Sequence, residues 1–246
     1  MKIYFEKHKY PDRYTEIKEF SKKYIYEKLK EQHAYATESI SNYKKYKKKI
    51  KSLDDLPDYK RYSSNYKYIH SLNVADKCRK MAIKEGKVSE EIMELIGLFH
   101  DISHYSCDYK FHGQRSGEMA KEFLKKYNIF SEEELNNIQK IIEAHYPVHW
   151  DEEYYLGNEI SMEEIILLEC DFWDKVDLES YSKKTKIIDD KRIEKAFNEM
   201  QEKIELLLNL PKDQQECVYT STFLKNIEMQ GHKNKEYLKE RNFNKF

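Results

Sequence analysis

The chain has 246 residues, 44 Lys and Arg against 45 Asp and Glu, a net charge of −1, and only 6 Gly and 4 Pro. So few turn formers among so many charged helix formers point to an all-α protein long enough to bury a sizeable core. No stretch approaches the ~20 apolar residues of a membrane span, and MKIYFEKHKYPDRY lacks a signal-peptide apolar run, so a soluble cytoplasmic protein with no membrane partner is expected. Cys78, Cys107, Cys170 and Cys217 form no C-x-x-C pair and read as reduced core filler.

Residues 1–67 carry 18 Lys and Arg against 10 Asp and Glu, and the remainder 26 against 35. Residues 14–33 read as a helix led by Ile17, Phe20, Tyr24 and Ile25. Ile40, Tyr43, Tyr46, Ile50 and Leu53 repeat at helical spacing, so the Lys44–Lys51 run reads as the wet face of a second helix and not as a nucleic-acid strip. Leu53–Tyr62, with two aspartates and Pro57, is the expected break before the core.

A helix from Lys67 to Glu85 turns Val74, Cys78, Met81 and Ala82 inward, with His70 one turn before Val74 and Lys67 a turn earlier. Alone, such a histidine reads as a hydrogen-bonded core residue. Ile92, Leu95, Ile96 and Phe99 define the next helix, which on this reading continues through His100, Asp101 and His104, placing the two histidines one turn apart. Gly97 leaves room for another element to approach closely. A loop over Tyr105–Phe111 leads to a helix headed by His112, where Gly113 and Gly117 also permit close approach.

Ser131 with Glu134 forms a capping box for a helix that ends at His145, before Pro147. Ser161 with Glu164 caps another, on which Asp171 follows Leu167 and Leu168 on an apolar face. Asp174 competes with Asp171 for the same role, and Asp171 is flanked more heavily by core residues. Ile193, Ala196, Phe197, Met200, Ile204, Leu207 and Leu208 mark a further helix ended by Pro211, and Tyr219, Phe223, Leu224 and Ile227 another. His232 reads as part of a polar tail.

Four inward histidines and two carboxylates on buried helix positions are hard to satisfy by hydrogen bonds alone. Imidazole and carboxylate suit zinc, iron and manganese, and six ligands suit two metals bridged by a shared carboxylate. The order His70, His100-Asp101, His112, His145, Asp171 resembles the H…HD…H…H…D pattern of the HD-domain superfamily of metal-dependent phosphohydrolases over residues 61–180.

The resemblance implies an HD-like helical bundle at 61–180, with an N-terminal helical extension at 1–60 and C-terminal helices packed on the core at 181–246. It also implies that His70, His100, Asp101 and Asp171 hold one divalent transition-metal ion, and that Asp101 bridges to a second held by His112 and His145. Iron is the expected metal, with manganese, zinc or nickel as the others the donors accept. The reaction would be hydrolysis of a phosphoester or phosphoanhydride of a nucleotide or other phosphorylated metabolite.

Lys67 matches a phosphate-contacting position of relatives that cleave diadenosine polyphosphates. His104 stands where many two-metal members have lysine, and the interval from Asp101 to His112 is short. Lys67, Arg115 and His104 are the groups expected to neutralise phosphoryl charge beside Asp101. The competing readings are a di-iron oxygenase of HD-like fold and a non-catalytic nucleotide-binding module. A homo-oligomer is compatible with the sequence.

Overall fold

The computed structural model describes residues 2–5, 13–47, 63–106, 111–146, 160–186 and 189–243. Among them are ten α-helices and no strand, with a single parallel bridge between Lys2 and Ser161. Residues 1–167 and 168–246 form two compact units. No helix among the described residues is long and apolar enough to cross a membrane.

The first unit contains α1 (Tyr14–Lys47), α2 (Ser64–Glu85), α3 (Glu90–Phe99), α4 (His112–Leu124) and α5 (Glu132–Ala144). Its core is built by the residues the periodicity picked out: Val74, Cys78, Met81 and Ala82 on α2 and Ile92, Leu95, Ile96 and Phe99 on α3 are all fully buried. Ser63 caps α2 by accepting from Tyr66 N at 3.1 Å, and Gly86, at φ 69°, ends it in the left-handed conformation. The capping box at Ser131 and Glu134 starts α5 as expected.

Two expectations are corrected here. The sequence reads two helices between Tyr14 and Leu53, but α1 runs unbroken to Lys47, because Ala34–Ser39 holds no glycine or proline to stop it. Residues 48–62, with the rest of the lysine run and the expected break, lie outside the described residues. The second correction concerns His100–Ser106. This segment is not a continuation of α3 but a chain of tight turns, in which Ile102, His104 and Ser106 each donate to the carbonyl three residues back.

Helix packing in the first unit comes in two close pairs, α2 with α3 and α4 with α5. A Cβ on Gly97 would lie 2.7 Å from Ala75 Cα, and one on Gly113 would lie 2.7 Å from the Tyr146 carbonyl oxygen. These two residues therefore let the backbones meet at distances no larger side chain permits. The N-terminal segment adds a tie: buried Glu163 accepts from Tyr4 N at 2.7 Å and Phe5 N at 2.9 Å.

Helix α6 (Met162–Lys175) begins in the first unit, under the expected Ser161–Glu164 capping box, and ends in the second. The second unit adds α7 (Leu178–Thr185), α8 (Asp190–Leu208), α9 (Lys212–Val218) and α10 (Ser221–Phe243). His232 lies on α10 and not in a polar tail. That polar stretch is helical because its inner side chains satisfy another joint's backbone. Asn234 accepts from Leu178 N at 3.1 Å and donates to the Val176 carbonyl at 2.8 Å, and Gln230 accepts from Trp173 Nε1 at 3.1 Å.

Candidate metal centre

The two helix pairs of the first unit each deliver two histidines to one carboxylate. His70 comes from the middle of α2, and His100 stands one residue past the end of α3. His112 opens α4, and His145 stands one residue past the end of α5. Asp101 lies between them, 4% exposed, on the turn after His100.

Its two oxygens face different pairs. Oδ2 is 3.5 Å from His70 Nε2 and 3.7 Å from His100 Nε2, whereas Oδ1 is 3.3 Å from His112 Nε2 and 3.7 Å from His145 Nε2. Within each pair the ring nitrogens are close, 3.2 Å for His70 and His100 and 3.1 Å for His112 and His145. Nitrogens about 2.1 Å from a common ion sit roughly 3.0–3.4 Å apart at octahedral or tetrahedral angles, so both pairs have the spacing of a metal's coordination edge.

The backs of two rings are fixed by their own helices. His100 Nδ1 is 2.8 Å from the Gly97 carbonyl and His145 Nδ1 is 2.5 Å from the Ile142 carbonyl. A carbonyl only accepts, so each Nδ1 carries the hydrogen and each Nε2 turns its lone pair inward, the tautomer a metal requires. The carbonyls belong to the last turns of α3 and α5, whose partial negative charge also favours cations at this place.

Lys67 Nζ completes the Oδ2 side at 2.7 Å, and His104 Nδ1 stands 3.7 Å from Oδ1. Burial alone would raise the Asp101 carboxyl, but the Lys67 ammonium, His100, His104 and His145 outweigh it and hold the group well below the usual carboxylate range. Burial, then the Lys67 charge, pushes His104 down to about 4, so it is neutral at pH 7. Ser103 locks the turn against α4: its Oγ donates to the His112 carbonyl at 2.8 Å, and its N–H donates to Ser116 Oγ at 3.2 Å.

Ligand atoms of His70, His100 and Asp101 lie within 4.8 Å of one another, and so do those of Asp101, His104 and His112. The donor set thus fits divalent metal on chemical grounds: buried imidazoles with inward lone pairs around a carboxylate held in its charged form. His104, which the sequence reading places as a phosphate contact, also sits where it could be a ligand on the Oδ1 side.

Arg115 and Asp171 are each held by a neighbour on their own helix. Arg115 is on the exposed side of α4, its guanidinium 2.7 Å from Glu118. Asp171 belongs to the second unit, where it is buried with Oδ2 2.6 Å from Lys175 Nζ. Its competitor Asp174 is engaged by the buried Lys184 and by Ser180. The carbonyls of Gly97 and Ile142 were not anticipated, although the signal is present: each histidine follows the last residue of its helix, three residues beyond a carbonyl of the last turn.

Comparison with curated proteins and with solved structures finds no match. The family model described as HD domain matches residues 68–190. HD domains bind divalent metals through His and Asp clusters and are generally hydrolases. With half of its length matched, its described residues helical and the His-Asp cluster at its centre, the chain belongs to the HD-domain family.

Proposed function

We propose that the chain is a metal-dependent phosphohydrolase, cleaving a phosphoester or phosphoanhydride of a small phosphorylated metabolite, with nucleotides the first class to try. The observation that supports it is the division of labour at Asp101, with one histidine pair on each carboxylate oxygen. That pattern favours two cations bridged by Asp101 over one. His70 and His100 would hold the first, with Asp171 as the proposed further ligand, and His112 and His145 the second. Iron is our choice of metal, on the resemblance.

Bound there, two divalent cations would supply an activated water near neutral pH and positive charge for the phosphoryl oxygens. The protein's own groups do the rest. Lys67, buried beside Asp101, brings its ammonium into a desolvated pocket, where it acts on phosphoryl oxygens with little screening. His104, neutral at pH 7, offers one N–H donor and one lone pair beside Oδ1, and so steadies a leaving oxygen without adding charge. Asp101, held ionised, balances Lys67 and the cations.

The test is elemental analysis of the purified protein, followed by phosphate release from a panel of nucleotides with the found metal restored. The expected result is metal bound to the purified chain and phosphate released without oxygen consumption. Oxygen uptake in step with substrate loss would instead favour a di-iron oxygenase, and metal-loaded protein inert toward every phosphoester would refute the proposal.

A further inference from the structure

The two oxygens of Asp101 differ in the charge they face. Oδ1 meets three imidazoles, those of His104, His112 and His145, and among the described residues no ammonium pairs with it. Oδ2 meets two, those of His70 and His100, and is bonded at 2.7 Å by the Lys67 ammonium. Lys67 and His70 stand three residues apart on α2, so the ammonium and a ligand reach Oδ2 from one face of one helix. Lys67 is 7% exposed, which leaves little water to screen its charge.

A cation held by His70 and His100 against Oδ2 has to share that oxygen with Lys67. At a bond of about 2.1 Å to the oxygen, it would lie no more than about 5 Å from the ammonium. Lys67 then either stays and repels the cation, or leaves Oδ2 and gives up a buried ion pair. Both responses lower the affinity of the His70–His100 side. A cation held by His112 and His145 uses the other oxygen and displaces no ammonium from it. Asp171, proposed as a further ligand beside His70 and His100, is likewise engaged by a lysine, Lys175 at 2.6 Å.

We infer that Lys67 sets the order in which the centre loads. The first divalent cation goes to the His112–His145 side of Asp101, and the His70–His100 side fills second and more weakly, because Lys67 already holds its carboxylate oxygen. This rests on the two-cation reading above and adds to it a rank between the two sides and the residue that causes it.

Two cations on one carboxylate repel each other whatever Lys67 does, so the order is read from which histidines hold the first ion and from what Lys67 changes. The full-length chain, freed of metal with chelator, is titrated with manganese by equilibrium dialysis, and bound metal is read by elemental analysis, without any turnover. His112→Ala should lose the tighter site and His70→Ala should keep it. Lys67→Met should strengthen the weaker site about tenfold or more, with the tighter site gaining less. Loss of the tighter site in His70→Ala, its survival in His112→Ala, or a weaker site that Lys67→Met moves by less than about twofold would overturn the inference. The histidine variants leave Lys67 in place, so they decide the order even where Lys67→Met fails to fold. One ion at saturation in both wild type and Lys67→Met would overturn the two-cation reading together with the inference. Two ions loaded in this order on a chain inert toward every phosphoester would overturn the phosphohydrolase reading alone.

Discussion

Substituting Gly97 by alanine sets two effects against each other, and the structure says which wins. In an open helix the change stabilises by about 1 kcal/mol, because glycine has more backbone freedom to lose. Here the new Cβ would lie 2.7 Å from Ala75 Cα, 2.9 Å from Ala75 N and 3.1 Å from the Val74 carbonyl carbon. All three are backbone atoms, so no side chain can swing aside. Restoring an ordinary 3.4 Å contact requires α2 and α3 to part by about 0.7 Å. Overpacking of this kind costs about 1–3 kcal/mol, and more when backbone must move, so a net loss of about 1–2 kcal/mol is expected. The melting temperature should fall by about 2–4 °C per kcal/mol for a chain of this size.

The same parting moves His70 on α2 from His100 beyond α3, so metal affinity should fall more than fold stability. Gly231→Ala is the internal comparison, because its Cβ would meet Ile204 Cγ2 at an ordinary 3.5 Å. That variant should melt at the wild-type temperature or higher. Thermal melts with and without added metal, and a metal titration, read out both variants. Gly97→Ala melting above wild type with metal affinity intact would refute the close approach and the positioning argument built on it.

Asp101→Asn should abolish metal binding and also destabilise the metal-free chain by about 3–5 kcal/mol, since it leaves the Lys67 ammonium buried without its counter-charge; denaturant melts in chelator check this. His100→Ala should lose metal as well but leave that ion pair in place, so its metal-free stability should fall less; metal analysis beside the same melts separates the two variants. Lys67→Met should retain metal and lower kcat/KM for phosphate release, with unchanged kinetics removing Lys67 from the site. Asn234→Leu leaves Leu178 N and the Val176 carbonyl without their partner, at a cost of about 2–4 kcal/mol in chemical denaturation.

Much of the fold was legible because helix caps and apolar stripes are local. Ser131 with Glu134, and Ile92 through Phe99, need no tertiary information. The errors arose where distant partners decide. His100–Ser106 contains no helix breaker, so periodicity carried α3 onward, but Ser103 exchanges helical bonds for bonds to His112 and Ser116, thirteen residues away or fewer. Arg115 was expected to neutralise phosphoryl charge, but which way so long a side chain turns is decided by its neighbours, and Glu118 three residues on holds it at 2.7 Å on the exposed side of α4. The role of Asn234 was invisible because its partners, Val176 and Leu178, lie more than fifty residues away.

The positions of His100 and His145 tie the making of the fold to the making of the centre. Each stands just beyond a helix, each gives its Nδ1–H to a carbonyl in the last turn of that helix, and each therefore has its ring set by the backbone before any ion arrives. A ring held from behind has little freedom left to lose on binding, so the centre is largely preformed. Metal added to the metal-free chain should then raise the melting temperature by mass action while leaving the far-ultraviolet dichroism nearly constant. A rise in helical signal on metal addition would show that the helix ends form only with the ion, and that the carbonyls of Gly97 and Ile142 do not set the rings on their own.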